Sequence, residues 1–201
     1  MTTPTALLVC DVQNGIVERI PLEARGPFLQ RLADTIAAAR KAGVTIIYVR
    51  VAFRAGLPEI SPRNTSFARV KAHAQALAQA HGGAGGGGFG ESDPSTQIHA
   101  AVAPREGGGD IVVTKRRVSA LYGTDLDIIL RSMDIGTLVI AGISTSGVVM
   151  STVRQGADMD YKLVVLGDLC LDMDAEIHDA ALKVIAKQAE VVGSVEWAKK
   201  L

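Results

Sequence analysis

Short apolar runs alternate with longer stretches in which apolar positions recur every three or four residues, and this alternation repeats along the chain. Ala6 to Asp11, Val44 to Phe53, Asp110 to Thr114, Thr137 to Ala141, Lys162 to Leu166 and Glu190 to Val192 read as strands. Most are β-branched and apolar almost throughout, as a strand covered on both faces requires. Phe28 to Gly43 reads as a helix: Phe28, Leu32, Ile36 and Ala39 share one stripe, Arg40 and Lys41 fill the last turn and Gly43 is the stop. Ser66 to Ala80 is Ala-rich and helical. Leu126, Ile129, Leu130 and Met133 form another stripe behind Thr124 and Asp127, a capping-box pair, with Gly136 ending it. Two more helices are predicted, from near Gly147 to about Tyr161 and over Glu176 to Lys187. Strands alternating with helices imply an α/β fold with a parallel sheet covered on both faces.

Composition narrows this without changing it. A chain of 201 residues that is 48% hydrophobic can bury one substantial core, which predicts a single domain over 1–201. Formal net charge is zero, so the field that would hold nucleic acid or an acidic lipid surface is missing, and a small-molecule or protein partner is expected. The start, MTTPTALLVCDVQ, has no basic segment, and its apolar run is too short for a signal core or a membrane span, which predicts a cytoplasmic location. Cys10 and Cys170 lack any metal-ligand or CxxC spacing and read as buried free thiols, with Cys170 the one nearer a crevice. The glycine run over 82–90 lacks the Lys-Ser/Thr of a Walker loop and does not open a helix after a strand; it reads as a flexible loop.

Candidate chemistry gathers at strand ends. In an open parallel sheet, ligands sit beyond the carboxyl ends of the strands. Asp11 stands where the first strand stops, and Lys115 where the third does. Leu138 to Thr152, LVIAGISTSGVVMST, is a strand, a Gly/Ser/Thr turn and a helix start in quick succession, and the first amides of such a helix point outward toward an anion or a developing oxyanion. A carboxylate, an ammonium and a donor-rich turn are thus expected in one crevice. The polar loop after the second strand lies on the same edge, so Phe53, Arg54, Arg63, Asn64 and Phe67 are candidates for substrate contact, with Gln13 and Thr145 added from beside Asp11 and from the turn.

The blocks LLVCDVQNG, VTKRRVSALYGTDLDIILRSMDIGTLVIAGISTSG and VRQGADMDYKLVVLGD, in this order and spacing, resemble the isochorismatase-like hydrolases, or cysteine hydrolase superfamily. The resemblance runs from Ala6 to about Val192. It implies a three-layer, Rossmann-like, doubly wound α/β fold with six parallel strands, frequent assembly into homo-oligomers such as dimers or tetramers, and an Asp-Lys-Cys catalytic triad. Asp11 matches the aspartate and Lys115 the lysine. GISTSGVV matches the nucleophile turn, with a cis peptide expected at Ile143–Ser144 and an oxyanion site at the amides of Gly147 and Val148.

Val148 occupies the position where most members of the family carry the nucleophilic cysteine, and its side chain can form no covalent adduct. The isochorismatases proper also lack a nucleophile there and hydrolyse a vinyl ether by acid catalysis from the aspartate, although their turn carries an aromatic residue and a histidine that GISTSGVV lacks. Zinc-dependent nicotinamidases add an aspartate and closely spaced histidines; His73, His81, His99 and His178 have no such spacing, and neither metal nor other cofactor is expected. The expectation is a hydrolase acting on a C–O or C–N bond of a small organic molecule, with Asp11 as acid/base and Lys115 as its electrostatic partner. The alternative is a family member that binds small molecules without turnover.

Overall fold

The computed structural model describes residues 3–80 and 89–201. Six strands run parallel: β1 (Thr5–Cys10), β2 (Thr45–Val51), β3 (Ile111–Lys115), β4 (Thr137–Ile143), β5 (Lys162–Leu171) and β6 (Glu190–Val192), ordered β3-β2-β1-β4-β5-β6 across the sheet. Seven α-helices are described: α1 (Asn14–Val17), α2 (Leu22–Lys41), α3 (Thr65–Ala80), α4 (Leu126–Ser132), α5 (Met150–Asp158), α6 (Ala175–Ile185) and α7 (Ser194–Ala198). The chain moves one way from β1 to β3 and then jumps back beside β1 to lay down β4. That reversal opens a crevice at the carboxyl ends of β1 and β4.

Side chains alternate across β1 and so divide the core. Ala6, Leu8 and Cys10 pack with Leu126 and Leu130 of α4, Val153 of α5 and Ile185 of α6. Leu7 and Val9 face the other way, onto Leu32 and Ile36 of α2 and Trp197 of α7. A smaller cluster of Val51, Phe53, Ile60 and Phe67 sits beyond the end of β2, beneath α3. No helix among the described residues is long and apolar enough to cross a membrane.

Three features differ from the pattern of the sequence. α2 begins at Leu22, six residues before Phe28, and carries Pro27 inside it; early in a helix, proline forfeits only one amide bond, so the stripe was readable and its start was not. β5 does not stop at Leu166. It passes through Gly167 and Asp168 to Leu171, and the register against β4 jumps from Ile140↔Val165 to Gly142↔Cys170. The bulge accommodates Asp168, whose carboxylate accepts from the Ser194 amide and hydroxyl and ties down the start of α7. Thr124 and Asp127 form no reciprocal box: Thr124 Oγ1 accepts from the Leu126 amide at 3.3 Å, while Asp127 pairs with Arg131 and accepts from the Tyr161 hydroxyl. The glycine run falls on residues outside those described, except for Phe89 and Gly90 at its end.

Gly142 is demanded by its surroundings. Its φ is +148°, and a Cβ there would lie 2.1 Å from the Cys10 carbonyl oxygen. Gly142→Ala should therefore combine backbone strain with a backbone clash and lower stability by about 3 kcal/mol, read from the urea midpoint.

Candidate active site

β1 ends at Cys10, and Asp11 turns the chain out of the sheet with a φ of +56°, a left-handed conformation that short polar side chains tolerate better than most. Its amide donates to the Val49 carbonyl at 2.8 Å, which holds the turn against β2. The Asp11 carboxylate is only 4% exposed, and Lys115, the last residue of β3, is 3% exposed. Their strands are not neighbours. Two strand spacings, roughly 9.5 Å, separate β1 from β3, and the Lys115 side chain crosses the end of β2 to place Nζ 2.9 Å from Asp11 Oδ2. The same ammonium donates to the Arg117 carbonyl at 3.1 Å.

The other carboxylate oxygen, Oδ1, is buried without a hydrogen-bond partner. Burial pushes the Asp11 carboxyl up, because removing a charge from water costs more than Lys115 returns; Lys115 pulls it back, and a nearby Val51 amide, whose proton goes to Gln13, adds a smaller pull. A carboxyl of this kind takes up a proton more readily than one on the surface.

The second part of the site is the turn after β4. The Ile143–Ser144 peptide is cis, and Thr145–Val149 form a single π-helical turn leading into α5. Two side chains anchor that turn from outside. Asp172 Oδ2 accepts from the Ser146 amide at 2.8 Å and from its hydroxyl at 2.6 Å, while Thr145 Oγ1 lies 2.8 Å from His178 Nδ1 on α6. Gly147 is confined by its neighbours, since a Cβ there would approach Ser144 Oγ to 2.5 Å. Val148, 2% exposed, presents a hydrocarbon where the turn faces Asp11 and Lys115 across a shared cavity.

That cavity has a volume of about 360 Å³, within the range that holds small organic ligands. Asp11, Lys115, Ile143, Ser144, Gly147 and Val148 all contribute to its wall. So do the apolar side chains Ile16, Val51, Phe67, Val70, Phe89 and Val118. Three strand ends therefore meet around one volume.

Other residues singled out from the sequence go elsewhere. Gln13 is 1% exposed, and its amide is spent on backbone: Nε2 donates to Val51 O and Thr96 O, and Oε1 accepts from the Val51 amide. It fastens the turn over 94–96 to the end of β2. Phe53 is fully buried edge-on against Phe67, with centroids 5.3 Å apart, so Phe67 reaches the cavity and Phe53 stands behind it. Arg54 is largely exposed and pairs with Glu59 at 2.6 Å, outside the cavity wall. Thr145 is fully buried and engaged by His178. Asn64 accepts from the Phe67 amide in the first turn of α3, and Arg63 is exposed. Cys170 lies in the core with Cys10, away from the cavity; burial pushes the Cys170 thiol up to about 12 and the Cys10 thiol well above its ordinary value.

Asp172, Arg19 and Phe89 line the cavity and were missed. Asp172 follows the carboxyl end of β5, so the strand-end rule that picks out Asp11 also picks it out once β5 is carried past its bulge. Arg19 is hidden by a short helix, α1, that its four residues do not announce. Phe89 sits at the end of a glycine run with no periodicity, placed there because Phe53 donates to its carbonyl at 2.8 Å. His178 hydrogen-bonds the turn, and His99 caps a 3₁₀ turn by accepting from Ala101; no group of three or more His, Cys, Asp or Glu among the described residues is placed to hold a metal.

Known proteins resemble this chain over most of its length. The Isochorismatase domain model matches residues 5–196. The isochorismatase family protein YwoC of Bacillus subtilis is 32% identical over 181 residues, 90% of this chain and 85% of YwoC. The ureidoacrylate amidohydrolase RutB of Methylorubrum extorquens is 31% identical over 173 residues, 82% of this chain and 68% of its own length. Among solved structures, a cysteine hydrolase from Pseudomonas syringae pv. phaseolicola superimposes with a TM-score of 0.82 at 25% identity, covering 97% of this chain and 91% of that one.

The buried pair makes an asymmetric prediction. Lys115→Met leaves the Asp11 charge buried alone and should cost about 3 kcal/mol or more at pH 7, whereas adding Asp11→Asn should recover most of it. Because the folded-state pKa of Asp11 is raised, the folded form binds the proton more tightly than the unfolded chain. The stability this contributes is present at acid pH and lost as pH rises through the folded pKa, so the Lys115→Met deficit should shrink on acidification, in urea melts at pH 5 against pH 7.

Proposed function

The chain belongs to the isochorismatase family of hydrolases, and from that premise we propose that it hydrolyses a C–O or C–N bond of a small organic molecule by proton transfer at Asp11, without a cysteine nucleophile. One observation carries the proposal: Asp11 belongs to the cavity wall, and Lys115 occupies only its Oδ2 while its buried Oδ1 has no hydrogen-bond partner. A carboxyl so placed has one oxygen for its positioning partner and one for the reacting molecule. Burial raises its pKa, which favours the protonated form that acid catalysis uses.

For a vinyl ether, protonated Asp11 gives its proton to the enol carbon. Water then adds to the oxocarbenium ion, one of its protons returning to the carboxylate, and the hemiketal collapses to a carbonyl as its hydroxyl proton passes to the departing alcohol oxygen. For a C–N bond, of the kind named in the ureidoacrylate amidohydrolase relatives, the carboxylate takes a proton from attacking water and returns it to the departing nitrogen. In either case Lys115 holds the carboxyl in place and stabilises its anionic form. The amides of Gly147 and Val148 are assigned to polarise an oxygen of the substrate.

Val148 favours a second reading, a member that binds its ligand and does not turn it over, since the position opposite the pair offers no nucleophile. Turnover separates the two. In a screen of amides, esters and vinyl ethers, the proposal expects at least one substrate, and for it Asp11→Asn should lower kcat by about a hundredfold or more with the fold unchanged by circular dichroism. Full activity in Asp11→Asn contradicts the mechanism, and saturable binding without any turnover supports the second reading. Val148→Cys should alkylate with iodoacetamide faster than Cys10 or Cys170, both of which lie in the core.

A further inference from the structure

We propose that the molecule taken by this cavity carries a carboxylate, received by Arg19 at its mouth; the proposal rests on the cavity being the reacting site described above. Arg19 lies just beyond α1, one turn from Ile16, and both residues line the cavity that Asp11 closes at its inner end. Its amide donates to the Ile16 carbonyl at 3.1 Å, so the backbone beneath the guanidinium is held.

The other charged side chains of the cavity wall, Asp11, Lys115 and Asp172, are engaged, as are Arg54, Arg116 and Arg117. Arg54 pairs with Glu59 at 2.6 Å, and Arg116 pairs with Glu59 at 2.9 Å and with Glu91. Arg117 donates to the carbonyls of Glu59 and Arg116. Asp172 spends one carboxylate oxygen on Ser146 and the other on the Met173 amide, and Lys115 is paired with Asp11. Among the described residues lining the cavity, Arg19 is the one charged side chain that makes no ion pair or hydrogen bond.

The surroundings favour a carboxylate as its partner. Arg19 is exposed at the rim, and its guanidinium presents parallel N–H groups that match the two oxygens of a carboxylate. Ile16, Val70 and Phe67 form an apolar wall inside it, and Ser66, exposed in the first turn of α3, adds a hydroxyl at the same opening. The ligand class is then an amphipathic acid: an anionic end at Arg19, an apolar middle, and the reacting bond at Asp11.

Equilibrium binding of benzoate and benzamide, which share a ring and differ in charge, tests this on the whole chain without requiring turnover. Wild-type protein should bind benzoate about tenfold or more tighter than benzamide at low ionic strength, and sodium chloride should narrow the gap. Arg19→Gln should bring the two affinities within about twofold, with benzamide binding unchanged, and Arg19→Lys should retain part of the preference. Equal affinities in the wild type, a preference that survives Arg19→Gln, or no saturable benzoate binding would overturn the proposal. Because only binding is read, a loss of the hydrolytic reading at Asp11→Asn leaves this result standing, and equal binding alongside intact turnover removes the anionic class alone.

Discussion

Two strand widths separate the ends of β1 and β3, and a single lysine side chain spans them to meet a buried carboxylate. An ion pair this deep does not hold the fold together by its own net energy, since desolvation of both charges consumes much of their attraction. What it does is make the sheet's register chemically consequential. If β3 slipped by one residue against β2, Lys115 would point to the opposite face and Asp11 would be left buried alone. The apolar strands supply the stability, and the pair specifies which register that stability serves.

The remaining site geometry follows from where this pair sits. Strand β4 lies beside β1 because the chain reverses its winding there, so the turn after Ile143 comes up against Asp11. Gly142 permits the close approach, as any side chain would strike the Cys10 backbone. Asp172 and His178, from β5's end and α6, then hold the turn from behind through Ser146 and Thr145. The result is a polar floor under an apolar cavity, in which one oxygen of Asp11 has a protein partner and the other has none.

Much of this was legible in the sequence, for particular reasons. Strands covered on both faces read as continuous apolar runs, and Asp11, Lys115 and the Gly/Ser/Thr turn stand where such runs stop; the strand-end rule needs no tertiary information. The positions that escaped depend on contacts a linear pattern does not carry. Gln13 sits two residues from Asp11, yet its amide is consumed by Val51 and Thr96, and only the packed backbone reveals it. Asp172 was hidden by a bulge whose Gly167-Asp168 pair looks like a turn, because Asp168 finds its partners in Ser194, well over twenty residues later in the chain. Phe53 and Phe67 are indistinguishable as apolar loop residues until the ring packing puts one in front of the other.

The protonation of the Asp11 carboxyl decides whether this site can act as an acid, and carbon NMR of a chain labelled at the aspartate carboxyl carbons reads it directly. Assigned by its disappearance in Asp11→Asn, the Asp11 resonance should titrate above the ordinary aspartate range, with burial outweighing the lysine beside it. A midpoint at or below that range would mean that Lys115 keeps Asp11 permanently ionised, and the acid on which the account depends would not exist.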